Sequence, residues 1–450
     1  MMGTNETICA LATANGIGAI GMVRISGPES FEIVSRIFSK SLIGKTTHTA
    51  HFGIIKGQEG NLIDEVLLTV FAQGKSFTGE ESVEITCHGS PYIQQQIIQL
   101  LLKNGCRLAS PGEFTQRAFL NGRMDLSQAE AVADLIASQS KSAHNIAMKQ
   151  LRGGFSNELK TLREKLIHFA SLVELELDFA EEDVEFADRT ELRQLVTEVL
   201  AYIKRLSASF ELGNAIKNGV PVAIVGAPNT GKSTLLNALL GDDRAIVSNI
   251  AGTTRDVIEE TLNIEGITFR LIDTAGIREG AEEIEAMGIE RSKDMIRKAT
   301  VVLCMADGTN KEEVEVARKW ADTVREEFPE KVILFVINKV DLQTYETDDL
   351  QISAKEGTQL EQLKSTLVES VKGDFNLAEE TIVSNARHYD ALVRTAEALD
   401  KALQGLETGI TGDFIAMDIR QAMYELGTIT GDISTDDLLG NIFANFCIGK

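Results

Sequence analysis

Residues 226–233 read Gly226-Ala227-Pro228-Asn229-Thr230-Gly231-Lys232-Ser233, directly after the apolar run 221–225 (PVAIV) and directly before the helix-like KSTLLNALL. The spacing is that of a phosphate-binding loop, and a strand before it with a helix after it is the context the motif requires. Such a loop turns successive backbone N–H groups, here those of Asn229 through Thr234, and the positive end of a helix toward phosphate oxygens. In this geometry Lys232 reaches the β- and γ-phosphates and Ser233 ligates magnesium.

Four further motifs follow in the order a GTPase requires, each read as standing at the carboxyl end of an expected strand, the edge where ligands bind in open α/β sheets. AGTTRD at 251–256 offers Thr253 and Thr254, whose hydroxyls can complete a magnesium shell and sense the γ-phosphate. DTAG at 273–276 puts Asp273 behind the magnesium, with Thr274, Ala275 and Gly276 beside the γ-phosphate. NKVD at 338–341 supplies Asn338, Lys339 and Asp341; a carboxylate there accepts both N–H donors of a guanine edge, a match adenine cannot offer. SAK at 353–355 brings Ser353, Ala354 and Lys355, whose backbone N–H groups support the base. The ligand expected is GTP, with GDP as product, and magnesium.

Ile277 follows DTAG where many signalling GTPases carry a water-orienting glutamine. Another group must therefore position the water and neutralise the developing charge. Asn229 in the loop and the carboxylates Glu282, Glu283 and Glu285 are the candidates; a solvated acidic cluster is the plainer account of the glutamates.

At 450 residues the chain exceeds the size of one core, and about two to four domains are expected. Its 43% hydrophobic and 25% charged residues are those of an ordinary soluble protein. The apolar runs are strand-sized, which excludes a bilayer-spanning helix. The glycine-broken ICALATANGIGAIGMV follows Glu6 and no basic residue, so it does not read as a secretory signal. Five scattered cysteines without C-x-x-C spacing point to a reducing, cytoplasmic compartment. The net charge of −23 opposes non-specific nucleic-acid binding, so an RNA substrate must meet a local basic surface. Residues 1–120 hold nine Lys/Arg against ten Asp/Glu, which makes them the least repulsive segment for an anionic ligand.

Residues 1–120 read as mixed α/β, with strands AIGMVRIS, EVLLTVFA and SVEITCH and a helix over 93–102. Gly16, Gly18 and Gly21 have dinucleotide-loop spacing but precede a strand, so tight turns explain them better. From 121 to 216 the period is helical. Ser127 with Glu130 predicts a capping box opening one helix over 127–151, followed by helices over 155–177 and 190–212. The acidic run 178–186 reads as a solvated helix end. Residues 217–375 alternate strand and helix, which predicts a parallel, doubly wound sheet. Residues 376–450 return to helix. The whole reads as an α/β domain inserted into a helical domain made from two chain segments. The chain ends in Phe446-Cys447-Ile448-Gly449-Lys450, a cysteine close to the terminus that a docking helix alone does not explain.

These stretches, with GMVRISGP, SFTGEESVEITCHGS, SPGEFTQRAFLNGRMDLSQAEAVADLI, AIVSNIAGTTRDV, DTAGIR and DDLLGNIFANFCIGK, closely resemble the MnmE (TrmE) family of tRNA modification GTPases over essentially the whole length. HGS stands at 88–90 where the family more usually has HGG. The resemblance implies an N-terminal α/β domain that binds folate and forms a homodimer, a helical domain, and an inserted Ras-like GTPase domain. It implies addition of an aminomethyl-type or carboxymethylaminomethyl group to carbon 5 of the tRNA wobble uridine, with the flavoprotein MnmG (GidA) in a heterotetramer and no membrane. The one-carbon donor would be 5,10-methylene- or 5-formyl-tetrahydrofolate. By the same resemblance Asn229, Ser248, Ile250 and Thr253 would hold potassium in place of an arginine finger, and Glu285 would orient water. Arg24, Glu84, Arg123 and Lys450 would bind folate, and Cys447 would serve the modification chemistry. A folate- and GTP-responsive switch outside the chemistry, and a ribosome-assembly GTPase, are the alternatives.

Overall fold

The computed structural model describes residues 6–178, 189–243, 260–272, 285–373, 375, 380–408, 410–444 and 446–449. The chain divides into two compact units: Met1–Ala137, Ala147–Leu200 and Arg394–Lys450 form one, and Ser138–Ile146 with Ala201–Val393 the other. The acidic run 178–186 lies, beyond Asp178, outside the described residues.

The first unit is built on strands β1 (Ile8–Leu11), β2 (Ile20–Ser26), β3 (Thr49–Lys56), β4 (Leu62–Phe71), β5 (Ser82–His88) and β6 (Arg107–Leu108), in the order β3-β4-β5-β2-β1-β6. Neighbours are antiparallel except β1 and β6. Period-two alternation sends Val23, Ile25, Val66, Leu68, Val70, Val83 and Ile85 to one face. There they form a core with Ile33 and Val34 of the helix Ser30–Ile37 and Ile97 and Leu101 of the helix Pro91–Lys103. Each such side chain contributes about 1.5–3 kcal/mol on full burial. On the other face Arg24 of β2 stands opposite Glu84 of β5.

The helical segments of this unit come from separated stretches of the sequence, before and after the second unit. Arg163 of the helix Gly154–Asp178 pairs with Asp432 at 2.8 Å, and Arg193 of the helix Arg189–Ala208 pairs with Glu407 of the helix Ala386–Thr408 at 3.2 Å. The expected helix over 127–151 is two helices, Leu126–Ala137 and Lys141–Leu151. Ser127 is not its cap. Asp125 accepts the Gln128 N–H at 2.9 Å, while the Ser127 hydroxyl, fully buried, bonds Asp125 and Ser156.

The second unit carries β7 (Val220–Gly226), β8 (Glu260–Ile264), β9 (Ile267–Leu271), β10 (Val301–Asp307), β11 (Val332–Asn338) and β12 (Leu350–Ile352), in the order β12-β11-β10-β7-β9-β8. Pairing is parallel except that β8 runs antiparallel to β9, so the all-parallel expectation fails at that edge. A two-residue turn explains it: Glu265 and Gly266 both have positive φ, which a tight hairpin needs. Both faces of the sheet are covered. Val301, Leu303 and Met305 of β10 join Leu235, Leu236 and Leu239 of the helix Lys232–Asp243. Val302, Cys304 and Ala306 join Val314 and Ala321 of the helix Lys311–Glu327. The helix expected over 190–212 ends at Ala208 and a second, Phe210–Asn218, follows. Between them the buried Ser209 hydroxyl donates to Leu206 O at 2.7 Å and accepts the Val383 N–H at 3.0 Å.

A buried ionic cluster fixes one end of the first sheet. Glu113, 4% exposed, accepts from Arg107 at 2.7 and 3.0 Å, from Arg117 at 2.9 Å and from the Ser110 N–H at 2.8 Å. Arg117 also donates to Glu80, which takes the Ser26 hydroxyl at 2.7 Å. Burial pushes the Glu113 carboxyl up, but the Arg107, Ser110 and Arg117 donors outweigh it and hold it below the usual carboxylate value. Its folded pKa is thus below the unfolded one. The contribution is complete above the ordinary carboxylate range and is lost as pH falls through the folded value. Glu113→Gln, which takes from the buried Arg117 one of its two carboxylate partners, is expected to cost about 3–5 kcal/mol at pH 7 by chemical denaturation. The gap to the parent should narrow in acid; equal stability at pH 7 would contradict the assignment.

Candidate active site

The phosphate loop joins the last residue of β7 to the helix Lys232–Asp243. Gly231 has φ +94°, and a Cβ there would collide with the Asn338 side-chain nitrogen, so only glycine fits. Asn229 also takes a left-handed conformation, φ +64°, which asparagine tolerates better than most residues. Its side chain is exposed, as are those of Ser233 and Thr234 in the first turn of the helix. Thr230 is buried, and its hydroxyl donates to Ala227 O at 3.0 Å, closing the loop on itself. The Lys232 amine donates to Gly226 O at 2.9 Å and Ala227 O at 2.8 Å. Burial lowers its pKa, and it is held over the loop whose N–H groups would receive phosphate.

The base end lies after β11. Asn338, 3% exposed, donates its amide to Thr230 O at 2.8 Å and accepts the Ala354 N–H at 3.0 Å, which braces the phosphate loop against the SAK loop. Asp341 is exposed, and one of its oxygens takes the Ser353 hydroxyl at 2.6 Å, which orients the carboxylate. Ser353 is buried and accepts the Glu356 N–H at 3.2 Å; Lys355 is exposed, with Glu356 at 3.8 Å. The structure therefore brings Thr230, Gly231, Lys232, Asn338, Asp341, Ser353 and Ala354 into one constellation.

Sequence reasoning missed what holds Lys339. Its backbone has φ +67°, and its amine is ion-paired with Asp307, the last residue of β10. Burial raises the Asp307 carboxyl, but the Lys339 amine and two Thr309 donors bring it below the usual value. Tyr345 adds a tie through its hydroxyl to Gly308 O at 2.7 Å. The signal available was the acidic residue ending the strand TVVLCMAD.

Ser248, Ile250, Thr253, Thr254, Asp273, Thr274, Ala275 and Gly276 lie outside the described residues, as do Ile277, Glu282, Glu283 and Lys450. Glu285 opens the helix Glu285–Lys298, and its side chain also lies outside them.

The remaining candidates gather in the first unit. Arg24 donates to one Glu84 oxygen from Nε at 3.0 Å and from Nη2 at 2.9 Å, with 16% and 20% of the two side chains exposed. Its guanidinium lies 5.5 Å from the centre of the Phe77 ring and 5.8 Å from that of Phe114. The rings hold the guanidinium in place, Phe114 from within the core, and the partly exposed Glu84 carboxylate keeps an oxygen to spare for an N–H donor. Arg123 is exposed, and its nearest polar contact is Gly74 O at 3.4 Å. Cys447 is exposed, whereas Cys9, Cys87, Cys106 and Cys304 are buried. Its carbonyl accepts the Gly112 N–H at 3.4 Å. Among the described residues no group of three or more His, Cys, Asp or Glu is arranged to hold a metal, and no helix is long and apolar enough to cross a membrane.

Comparison with known proteins adds the following. A family model described as the GTP-binding protein TrmE N-terminus matches residues 7–123, and one described as the MnmE helical domain matches residues 126–447. A tRNA modification GTPase MnmE from Cytophaga hutchinsonii is 54% identical over 99% of this chain and 98% of that protein. One from Christiangramia forsetii is 51% identical over 100% of both. Among solved structures, the G domain of the T. maritima FeoB iron transporter is 27% identical over 33% of this chain and 97% of that one, with a TM-score of 0.24. On family models that span most of its length and relatives that match it end to end, the chain belongs to the tRNA modification GTPase MnmE family.

Proposed function

We propose that this GTPase is stimulated by potassium and works with a flavoprotein partner of the MnmG type on carbon 5 of the tRNA wobble uridine, drawing a one-carbon unit from 5,10-methylene- or 5-formyl-tetrahydrofolate. It acts in the cytoplasm as a homodimer formed through residues 1–120, and as a heterotetramer with the partner. One observation carries the reading: the nucleotide constellation is assembled in one compact unit, while Arg24, Glu84 and the segment bearing Cys447 are assembled in the other. A machine with separate energy and chemical ends has that organisation.

At the nucleotide end the loop N–H groups bind phosphate, and Lys232 leaves the carbonyls of Gly226 and Ala227 for phosphate oxygens. Asp341, oriented by Ser353, accepts the guanine N–H groups. Ser233, Thr254 and Asp273 would hold magnesium. Asn229 would hold potassium with Ser248, Ile250 and Thr253, and the exposed, left-handed Asn229 on the loop suits that role. When bound, the two cations supply positive charge where the phosphoryl group develops negative charge. Glu285 would place the attacking water. At the other end Glu84, anchored by Arg24, accepts N–H donors of the pterin, and Arg123 and Lys450 meet the glutamate tail.

Two measurements test this. GTP hydrolysis in potassium is expected to exceed that in sodium by about 100–1,000-fold, and Asn229→Ala should bring the potassium rate down to the sodium rate, a loss of the size seen on removing one group that stabilises developing charge. Equal rates in the two salts would remove Asn229 from the role. Separately, Cys447→Ser is expected to hydrolyse GTP at the parental rate yet leave wobble uridines unmodified; normal modification would exclude the thiol from the chemistry.

A further inference from the structure

Two glycines seat the end of the chain on the sheet of the first unit. Gly112, which precedes the helix Glu113–Leu120, has φ +67°. A Cβ at that position would lie 2.7 Å from Phe443 O and 2.9 Å from the Phe446 Cβ. The helix Asp436–Ala444 brings Phe443 there, with Leu439 and Phe443 packed against Leu126 and Ala129, and the Phe446 N–H just beyond it bonds Phe443 O at 3.0 Å. Gly449 is buried with φ +95°, and a Cβ on it would collide with Leu11 O and lie 3.2 Å from Ala12 Cα. Contacts this close, on left-handed backbone, exclude any L side chain without displacement of the chain.

Both surfaces that receive the strap also hold Arg24. Phe114, two residues after Gly112, lies beneath the Arg24 guanidinium. Leu11 follows Ala10, which pairs with Arg24 across β1 and β2, and the Ala12 N–H bonds Met22 O at 2.7 Å. Cys447 lies between the two attachment points, its carbonyl on Gly112 and the residue two further on against Leu11. All of these residues belong to one unit, and none belongs to the unit that carries the phosphate loop.

We propose that Gly112 and Gly449 are positioning residues: they fasten the C-terminal strap beside the Arg24–Glu84 pair and hold Cys447 there in every nucleotide state. The nucleotide cycle then governs something other than delivery of this thiol. The consequence for wobble-uridine modification rests on the role given to Cys447 above; the seating itself does not.

Because the other four cysteines are buried, a nitroxide can be placed on Cys447 alone. Its spectrum in the full-length protein is expected to be motionally restricted, and equally so without nucleotide, with GDP and with a non-hydrolysable GTP analogue. Gly449→Ala and Gly112→Ala should each release it into a mobile spectrum. In the unlabelled variants wobble-uridine modification should fall at least tenfold while kcat and KM for GTP stay within twofold of the parent. Gly449→Ala is decisive, because it alters the strap and leaves the helix that starts at Glu113 untouched. A mobile label in the parent, a label restricted only when nucleotide is bound, or a label still restricted in Gly449→Ala would overturn the proposal. If Gly449→Ala releases the label and modification persists, the seating stands and the role of Cys447 falls.

Discussion

One buried carboxamide joins the two ends of the nucleotide site. Asn338 sits at the last position of β11, donates to the phosphate loop at Thr230 O and accepts from the base loop at Ala354 N. Neither partner has water to fall back on, since Thr230 and Ala354 are 2% and 4% exposed. The loss of either bond leaves a desolvated group worth about 1–3 kcal/mol. The relative placement of these two loops follows from where the sheet puts this residue. The register between β10 and β11 sets Asp307 opposite Asn338, so the carboxylate that secures Lys339 arrives with the same strand pairing.

The other unit holds its site by charge. Glu113 and Arg117 bond each other and reach outward to Arg107, Glu80 and Ser26, which locks the helix Glu113–Leu120 to the end of the sheet. That helix carries Phe114 under Arg24 and Gly112 under the strap. A buried pair of this kind adds little net stability compared with apolar residues of similar shape, and its value here lies in fixing the position of the residues around it. The nucleotide end is thus set by one neutral amide, and the proposed folate end by a fully compensated ionic cluster.

Much of this was legible in the sequence because the chemistry sits at strand ends. GAPNTGKS, NKVD and SAK each follow an apolar run, so strand and loop were readable together, and the structure places all three at one end of one sheet. The antiparallel edge was not readable, because an apolar run does not encode its partner's direction; the Glu265-Gly266 turn was its only local sign. The cap at Ser127 was misread because its hydroxyl is buried on Ser156, a contact 29 positions away, which leaves Asp125 to accept the Gln128 N–H. The Glu80–Arg117 and Asp307–Lys339 pairs join residues more than 30 positions apart, which no local pattern relates. Nothing local marks Gly112, because Phe443 and Phe446, which lie against it, are more than 300 positions away.

The most direct test of the account is the calorimetric affinity of Asn338→Ala for GDP, measured beside its thermal unfolding. If the amide braces both loops, affinity falls by about 10–100-fold while the protein stays folded, as expected for losing one or two buried hydrogen bonds. A folded Asn338→Ala protein that binds GDP within twofold of the parent would show that the two loops are held by something else.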